Sequence, residues 1–272
     1  MNKKNSKNIG HVKLNKFNLP FSLLVDFNVV PSFYVTFHNL IMITKTLLFE
    51  YRNFFGNGNN FIKVVVQMDF QQYEEIMFEQ LIKAEDRFVQ DYIIRNKTIE
   101  GEQLSRMQLV NVVFERCIFI NCDFSRWDVT DSVFKHCDLS NCRLEEGFYY
   151  RTTFINCKLI GTKFTKSRFK QSSFSQCFAN YVSFSEANFD QTSFVQSTMN
   201  DSDFYQVTHK QLELSGCELN AANFEETKLK GLDVSSSFFE ELYVDVAKLK
   251  GLKIAPQQAA IFTALLGIEI AE

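Results

Sequence analysis

The sequence predicts an all-β solenoid, a rod of about eight square coils with a short cap at each end. Three observations carry that prediction. First, an apolar residue returns every fifth position from Ile99 to Ile254, 32 positions in one register without a slip. Only Ala179 and His209 depart from a side chain of valine size or larger. Second, the residue two before each of these is usually small, as at Ser132, Thr152, Ala187, Ser202 and Ala222. Third, all seven cysteines (Cys117, Cys122, Cys137, Cys142, Cys157, Cys177 and Cys217) fall on that small position, and five of them are spaced by 20 or a multiple of 20. A period of five is neither helical nor simple strand alternation. It requires a corner every five residues, four corners to a coil, and coils stacked at strand spacing of ~4.8 Å, giving a rod roughly 38 Å long. The apolar centre and the small residue point inward, and the other three positions face water.

Residues 1–67 stand outside this pattern. They hold eight Lys/Arg against two acids and an apolar, aromatic run broken by Pro20, Asp26, Pro31 and Lys45. Those breaks disfavour a membrane span, which needs about 20 apolar residues in a row. The segment reads as an atypical apolar and basic extension. Translated upstream sequence from a mis-called start is one reading of it, and a disordered tail is another. Residues 68–97 are expected to be an N-terminal helical cap, because Phe70, Tyr73, Phe78, Leu81, Phe88, Val89, Tyr92 and Ile93 fit one broad helical face. A solenoid end otherwise exposes its core and unpaired edges.

The coils occupy 98–255. Trp127 in a small slot should distort the coil or turn outward. Ala179 underfills its slot, so Phe178 is expected to turn in. His209 at a centre suggests a local bulge or a partly exposed ring. After Ile254 the period stops, and 256–272 reads as a short helix over Gln257–Leu265, ended by Gly267, then a strand at Ile268–Ile270. Ile261, Phe262, Leu265, Leu266 and Ile268 exceed what a thin helix can bury on a rod end. A symmetric homodimer through the C-terminus is the natural outlet, a simple monomer cap the alternative.

Chain-wide net charge is −3, with residues 1–67 carrying +6 and the rest −9. The acidic rod disfavours direct nucleic-acid binding. Free cysteines in apolar slots suggest a reducing, cytoplasmic setting. No zinc-ligand spacing, phosphate-binding glycine loop or converging nucleophile and base appears, so no catalytic residue, metal or cofactor is assigned and the chain reads as a non-enzyme. Sorting the outward positions by face isolates a ridge. Asp201, Asp203, Glu218, Glu225, Glu226, Glu240, Glu241 and Asp245 share two adjacent faces with no cation between them. The next face carries Lys210, Lys228, Lys230, Lys248 and Lys250 without an acid. Like charges stacked one coil apart repel, so the ridge suggests a field with a use, the alternative being an incidental acidic patch.

The pattern at Cys122-Asp123-Phe124, Cys137-Asp138-Leu139, Ala187-Asn188-Phe189, Ser202-Asp203-Phe204 and Ala222-Asn223-Phe224 resembles the pentapeptide-repeat family, which implies a right-handed quadrilateral β-helix. The ending from Leu252 through Ile268 resembles the C-terminal module of the quinolone-resistance (Qnr-type) group, whose rods join tail to tail. That resemblance implies a DNA-mimicking protein whose partner is a type II topoisomerase, DNA gyrase or topoisomerase IV, which it modulates or protects from fluoroquinolones. The projecting loops of several Qnr-type proteins are absent here, so the chain is similar to the loopless kind. The competing reading is a structural or scaffolding rod, membrane-linked through residues 1–67, with no topoisomerase role.

Overall fold

The computed structural model describes side chains for residues 86–268 together with Glu75 and Phe78, and before these it describes only strand segments. The chain divides into two compact units, Met1–Gln72 and Tyr73–Glu272, so the boundary lies beyond residue 67. In the first unit, β1 (Ile9–Lys13), β2 (Phe21–Asp26), β3 (Ile41–Ile43), β4 (Thr46–Arg52) and β5 (Phe61–Met68) pair antiparallel in the order β1-β2-β5-β4-β3.

The second unit is a parallel β-solenoid of about eight turns. From Phe88 onward its strand register is 20 residues: Val89 pairs with Leu109, Leu109 with Val129, Phe114 with Phe134 and Phe154 with Phe174. Corners recur every fifth residue in the left-handed backbone region, as at Asn121 (φ 53°), Arg126 (φ 61°), Asp131 (φ 52°) and His136 (φ 53°). That region costs most residues conformational energy, and the ladder compensates by giving each corner amide a partner carbonyl in the next coil, as from Arg126 N to Glu145 O (2.7 Å). Two faces are strand ladders, while the other two are held by single bridges such as Asp123 to Arg143 and Lys163 to Ser183.

Phenylalanine stacks fill the interior. Phe114, Phe134, Phe154, Phe174 and Phe194 lie ring over ring at 4.9, 4.8, 4.6 and 4.5 Å, nearly parallel. These distances are the strand spacing itself, and each buried ring contributes about 1.5–3 kcal/mol. The small slot does more than fit. Its thiol or hydroxyl donates to the carbonyl of the centre residue in the preceding coil: Cys157 to Phe134 O (3.3 Å), Thr152 to Val129 O (3.1 Å), Ser172 to Tyr149 O (3.0 Å). Cysteine there is both a small apolar body and a donor.

Several expectations need correction. Residues 88–95 are not helical. Phe88–Gln90 and Tyr92–Arg95 are solenoid strands, with Val89 and Ile94 buried in the same five-residue register. Phe88, Val89, Tyr92 and Ile93 satisfy a helical face and the square coil equally, so periodicity over so few residues could not separate them. The rest of the expected cap lies largely outside the described residues. Within it, Phe78 is helical and packs on Phe119 (6.3 Å), and Glu74–Glu75 pairs with Tyr92–Ile93. Trp127 stays inside, only 1% exposed, stacked on Phe124 (4.2 Å) with its indole N–H on Leu104 O. Phe178 remains outside at 53% exposure, while Ala179 and Val182 are buried. Of the two expectations for His209, the partly exposed ring holds and the bulge does not. His209 keeps strand register with Phe189 and sets Nε2 2.7 Å from Lys228 O.

Candidate functional site

The acidic ridge forms on the faces centred on Leu219 and Phe224, and the backbone there is held by a ladder that sequence reasoning missed. Asn180, Asn200 and Asn220 stand 20 residues apart. Asn180 Oδ1 accepts from Asn200 N (3.0 Å), and Asn200 Oδ1 from Asn220 N (2.9 Å). Asn220 Oδ1 accepts from both Glu240 N (2.9 Å) and Glu241 N (3.1 Å). The double bond marks a local slip: Ala221 N pairs with Glu241 O, whereas Asp201 N one coil earlier pairs with Asn220 O. The left-handed corner seen at Asp201 and Ala221 is absent at Glu241. Two carboxylates are thus presented side by side on an irregular turn. The only signal in the sequence is the spacing of three asparagines.

Seven of the eight expected residues sit where the register places them, and Glu241 is displaced by the slip. Asp201, Glu218, Glu225, Glu226, Glu240 and Glu241 are exposed, and Asp203 and Asp245 half-buried. Asp203 is fixed by Asn223 Nδ2 and Tyr205 N, both at 3.1 Å. Asp245 accepts from Glu226 N (2.7 Å). The lysine face is less separate than its spacing suggests. The short helical turn Val246–Lys248 carries Lys248 round the corner onto Glu226 and Asp245. Among the described residues no cation pairs with Asp201, Asp203, Glu218, Glu225, Glu240 or Glu241. Glu241 instead faces Tyr243 and, with Asp201, raises its phenol above the usual range by charge and by hydrogen bonding.

The rod end is closed by Gln258, a buried side chain the sequence reading passed over. Its Nε2 donates to Val234 O (3.0 Å) and Ser237 O (2.8 Å), and its Oε1 accepts from Ala255 N (2.7 Å). A single turn, Pro256–Gln258, then leads into α1, Ala259–Leu265, and Gly267 (φ 70°) follows. Of the five expected dimer residues, Phe262 is used by its own rod, edge-on to Phe239 at 6.1 Å. Ile261 is half-buried, and Leu265, Leu266 and Ile268 are 42–54% exposed. Residues 269 and 270 of the expected strand lie outside the described residues.

Ridge and module meet in an open groove of about 420 Å³, with Glu225, Glu240 and Glu241 on one side, Leu242, Tyr243 and Val244 in the floor, and Ile261, Ala264 and Leu265 of α1 opposite. It offers carboxylates beside an apolar surface. Among the described residues no group of three or more His, Cys, Asp and Glu side chains could hold a metal ion, and no helix is long and apolar enough to cross a membrane. The seven cysteines are free and buried. Burial raises the thiols of Cys137 and Cys157 and pushes that of Cys217 up to about 11.

Comparison with known proteins matches residues 149–224 to the pentapeptide repeat region family and residues 86–164 to the SV2A/B/C luminal domain. The first match identifies a pentapeptide repeat region within the rod, and neither match covers half of the chain. No curated protein matches the chain. Among solved structures, a trypsin-treated variant of QnrB1, a plasmid-mediated fluoroquinolone resistance protein, is similar at 21% identity and TM-score 0.38, over 66% of this chain and 92% of that one. HetL, a pentapeptide repeat protein involved in heterocyst differentiation regulation from the cyanobacterium Nostoc sp. strain PCC 7120, is similar at 14% identity and TM-score 0.35, over 68% and 98%. Rfr23, a pentapeptide repeat protein from the cyanobacterium Cyanothece 51142, is similar at 11% identity and TM-score 0.31, over 51% and 92%. None of these superpositions is close, and the architecture above rests on the chain's own strand register.

Proposed function

We propose that this protein is a cytoplasmic binding rod whose acidic ridge imitates a DNA backbone and docks in the basic DNA-binding saddle of a type II topoisomerase, DNA gyrase or topoisomerase IV. Bound there, it inhibits the enzyme or shields it from fluoroquinolones. The observation that carries the reading is the ridge: six carboxylates on two adjacent faces that have no cation partner among the described residues, with a seventh and eighth tied to Lys248. Stacked at coil spacing, they keep a negative potential that a basic cleft would neutralise. The resemblance of the ending to the Qnr-type module supports the choice of partner. Tail-to-tail pairing through Leu265, Leu266 and Ile268 would double the ridge across a two-fold axis.

The test is gyrase supercoiling and topoisomerase IV decatenation, with and without ciprofloxacin, using the full chain. Micromolar protein should inhibit or rescue the enzyme. Glu225→Lys, Glu240→Lys and Glu241→Lys combined should weaken that effect at least tenfold. No effect of the wild-type protein on either enzyme would sink the topoisomerase reading. Full activity in the triple variant would remove the mimicry.

A further inference from the structure

Net charge conceals a second surface. On the face that runs through Tyr149, Phe169, Phe189, His209 and Leu229, the outward positions carry six exposed cations: Arg168, Lys170, Lys210, Lys228, Lys230 and Lys250. Strand register sets Arg168 and Lys170 one coil from Phe148 and Tyr150, and Lys210 one coil from Asp190. Asp190 is the single acid in the row. Among the described residues no carboxylate pairs with any of the six; the salt bridges of this region use Arg151, Lys158, Lys166 and Lys248 instead. Arg168 to Lys250 thus spans four coil steps, roughly 19 Å at strand spacing.

At the upstream end of the row lies a flat aromatic platform. Phe148, 37% exposed, and Tyr150 lie with ring planes 17° apart and centroids at 6.4 Å. The Arg151 guanidinium sits 3.8 Å over the Tyr150 ring, and Lys170 Nζ lies 5.8 Å from it. Asp131 holds Arg151 over one face of the half-buried Tyr150, so the stacking surface offered is the exposed Phe148 ring and the part-exposed Arg151 guanidinium. Such planes beside a line of cations are what an unpaired strand requires: phosphates over the cations, bases on the flat groups. A duplex keeps its bases stacked on each other, and an acidic peptide has no rings that demand the platform.

We propose that this face binds single-stranded nucleic acid. The proposal revises the expectation of no direct nucleic-acid contact. That expectation used the rod's summed charge, but charges beyond roughly 8–10 Å are screened, so a ligand on one face responds mainly to that face. It does not rest on the topoisomerase reading.

The experiment is fluorescence anisotropy of the full chain with labelled dT12 and rA12 from 50 to 200 mM salt. Neutralising about five phosphates should give a slope of log K against log salt near −3.5, at ~0.7 per phosphate. Lys228→Glu with Lys230→Glu should weaken binding at least tenfold, and Phe148→Ala with Tyr150→Ala at least fivefold, with circular dichroism verifying the fold. All variants keep the basic residues of 1–67, so their contribution cancels. Unchanged affinity in the lysine variant would assign binding elsewhere and overturn the proposal. So would poly-glutamate competing as well as dT12 with no effect of Phe148→Ala and Tyr150→Ala, which would mark an acidic protein as the partner. Reversal of Glu225, Glu240 and Glu241 should not lower affinity for dT12, which keeps the two surfaces separately testable.

Discussion

Single positions in this rod are chosen for two jobs at once. The cysteine slot shows it: Cys137 must be small enough for the corner and must also donate to Phe114 O (3.4 Å). Serine and threonine meet both needs, which explains why they alternate with cysteine along the chain. Charge is handled with similar economy. Glu115 lies beneath Arg95 (2.9 Å) and Lys135 (3.4 Å), with Arg116 at 3.5 Å. Burial alone would raise its carboxyl, but the hydrogen bond from Arg95 and the charge of Lys135 outweigh it and hold the group below the usual carboxylate range. A folded-state value below the unfolded one, ~4.3 for glutamate, contributes stability above that pH. The contribution is lost as pH falls through the lower folded value. Urea midpoints measured from pH 6 to pH 3 should therefore drop more steeply for the wild type than for Glu115→Gln. Parallel curves would remove Glu115 from the acid response.

Elements in a solenoid depend on their ends. Each inner coil satisfies its amides on the next, so the last coil is where carbonyls and core rings lack partners. Gln258 meets that need with three hydrogen bonds from one side chain, and Phe262 covers Phe239. Replacing Gln258 with alanine removes the side-chain partners of the Ser237 carbonyl and the Ala255 amide, while Val234 O keeps its bond from Ser237 N. We expect a loss of about 2–4 kcal/mol and protease cleavage near 255–260 well before the central coils are cut. Denaturation together with limited proteolysis measures both. A midpoint unchanged within error would mean that α1 caps the rod without this side chain.

At the scale of the whole molecule, faces matter more than totals. One rod carries an unpaired acidic ridge and, round the corner, a cationic row, with Lys248 as the tie between them. Leu265, Leu266 and Ile268 remain exposed at the end nearest the ridge. If they meet a second copy, Leu265→Asp with Leu266→Asp should convert a dimer to a monomer in sedimentation velocity while leaving the β-sheet circular dichroism unchanged. A wild type that sediments as a monomer at 100 μM would leave α1 as a cap alone.

The five-residue register was readable because each residue's role in a solenoid repeats along the chain. Core, coil length, the inward thiols and the places of seven of the eight ridge carboxylates follow from counting. Counting failed where local geometry departs from the repeat. Periodicity over 88–95 fits helix and coil alike, and only strand pairing with 108–115 resolves it. Trp127 stays inside by stacking on Phe124 and Phe114 and donating to Leu104 O, contacts that spacing alone does not reveal. The slip at Glu240 and Glu241, the reach of Lys248 across a corner and the end plug by Gln258 arise because the last coil has no successor to impose the register. Sequence by itself thus determined the rod and sorted its charges by face. Tertiary structure decided which charges are paired and how the rod ends, because those depend on side-chain reach and on packing between coils rather than on the period.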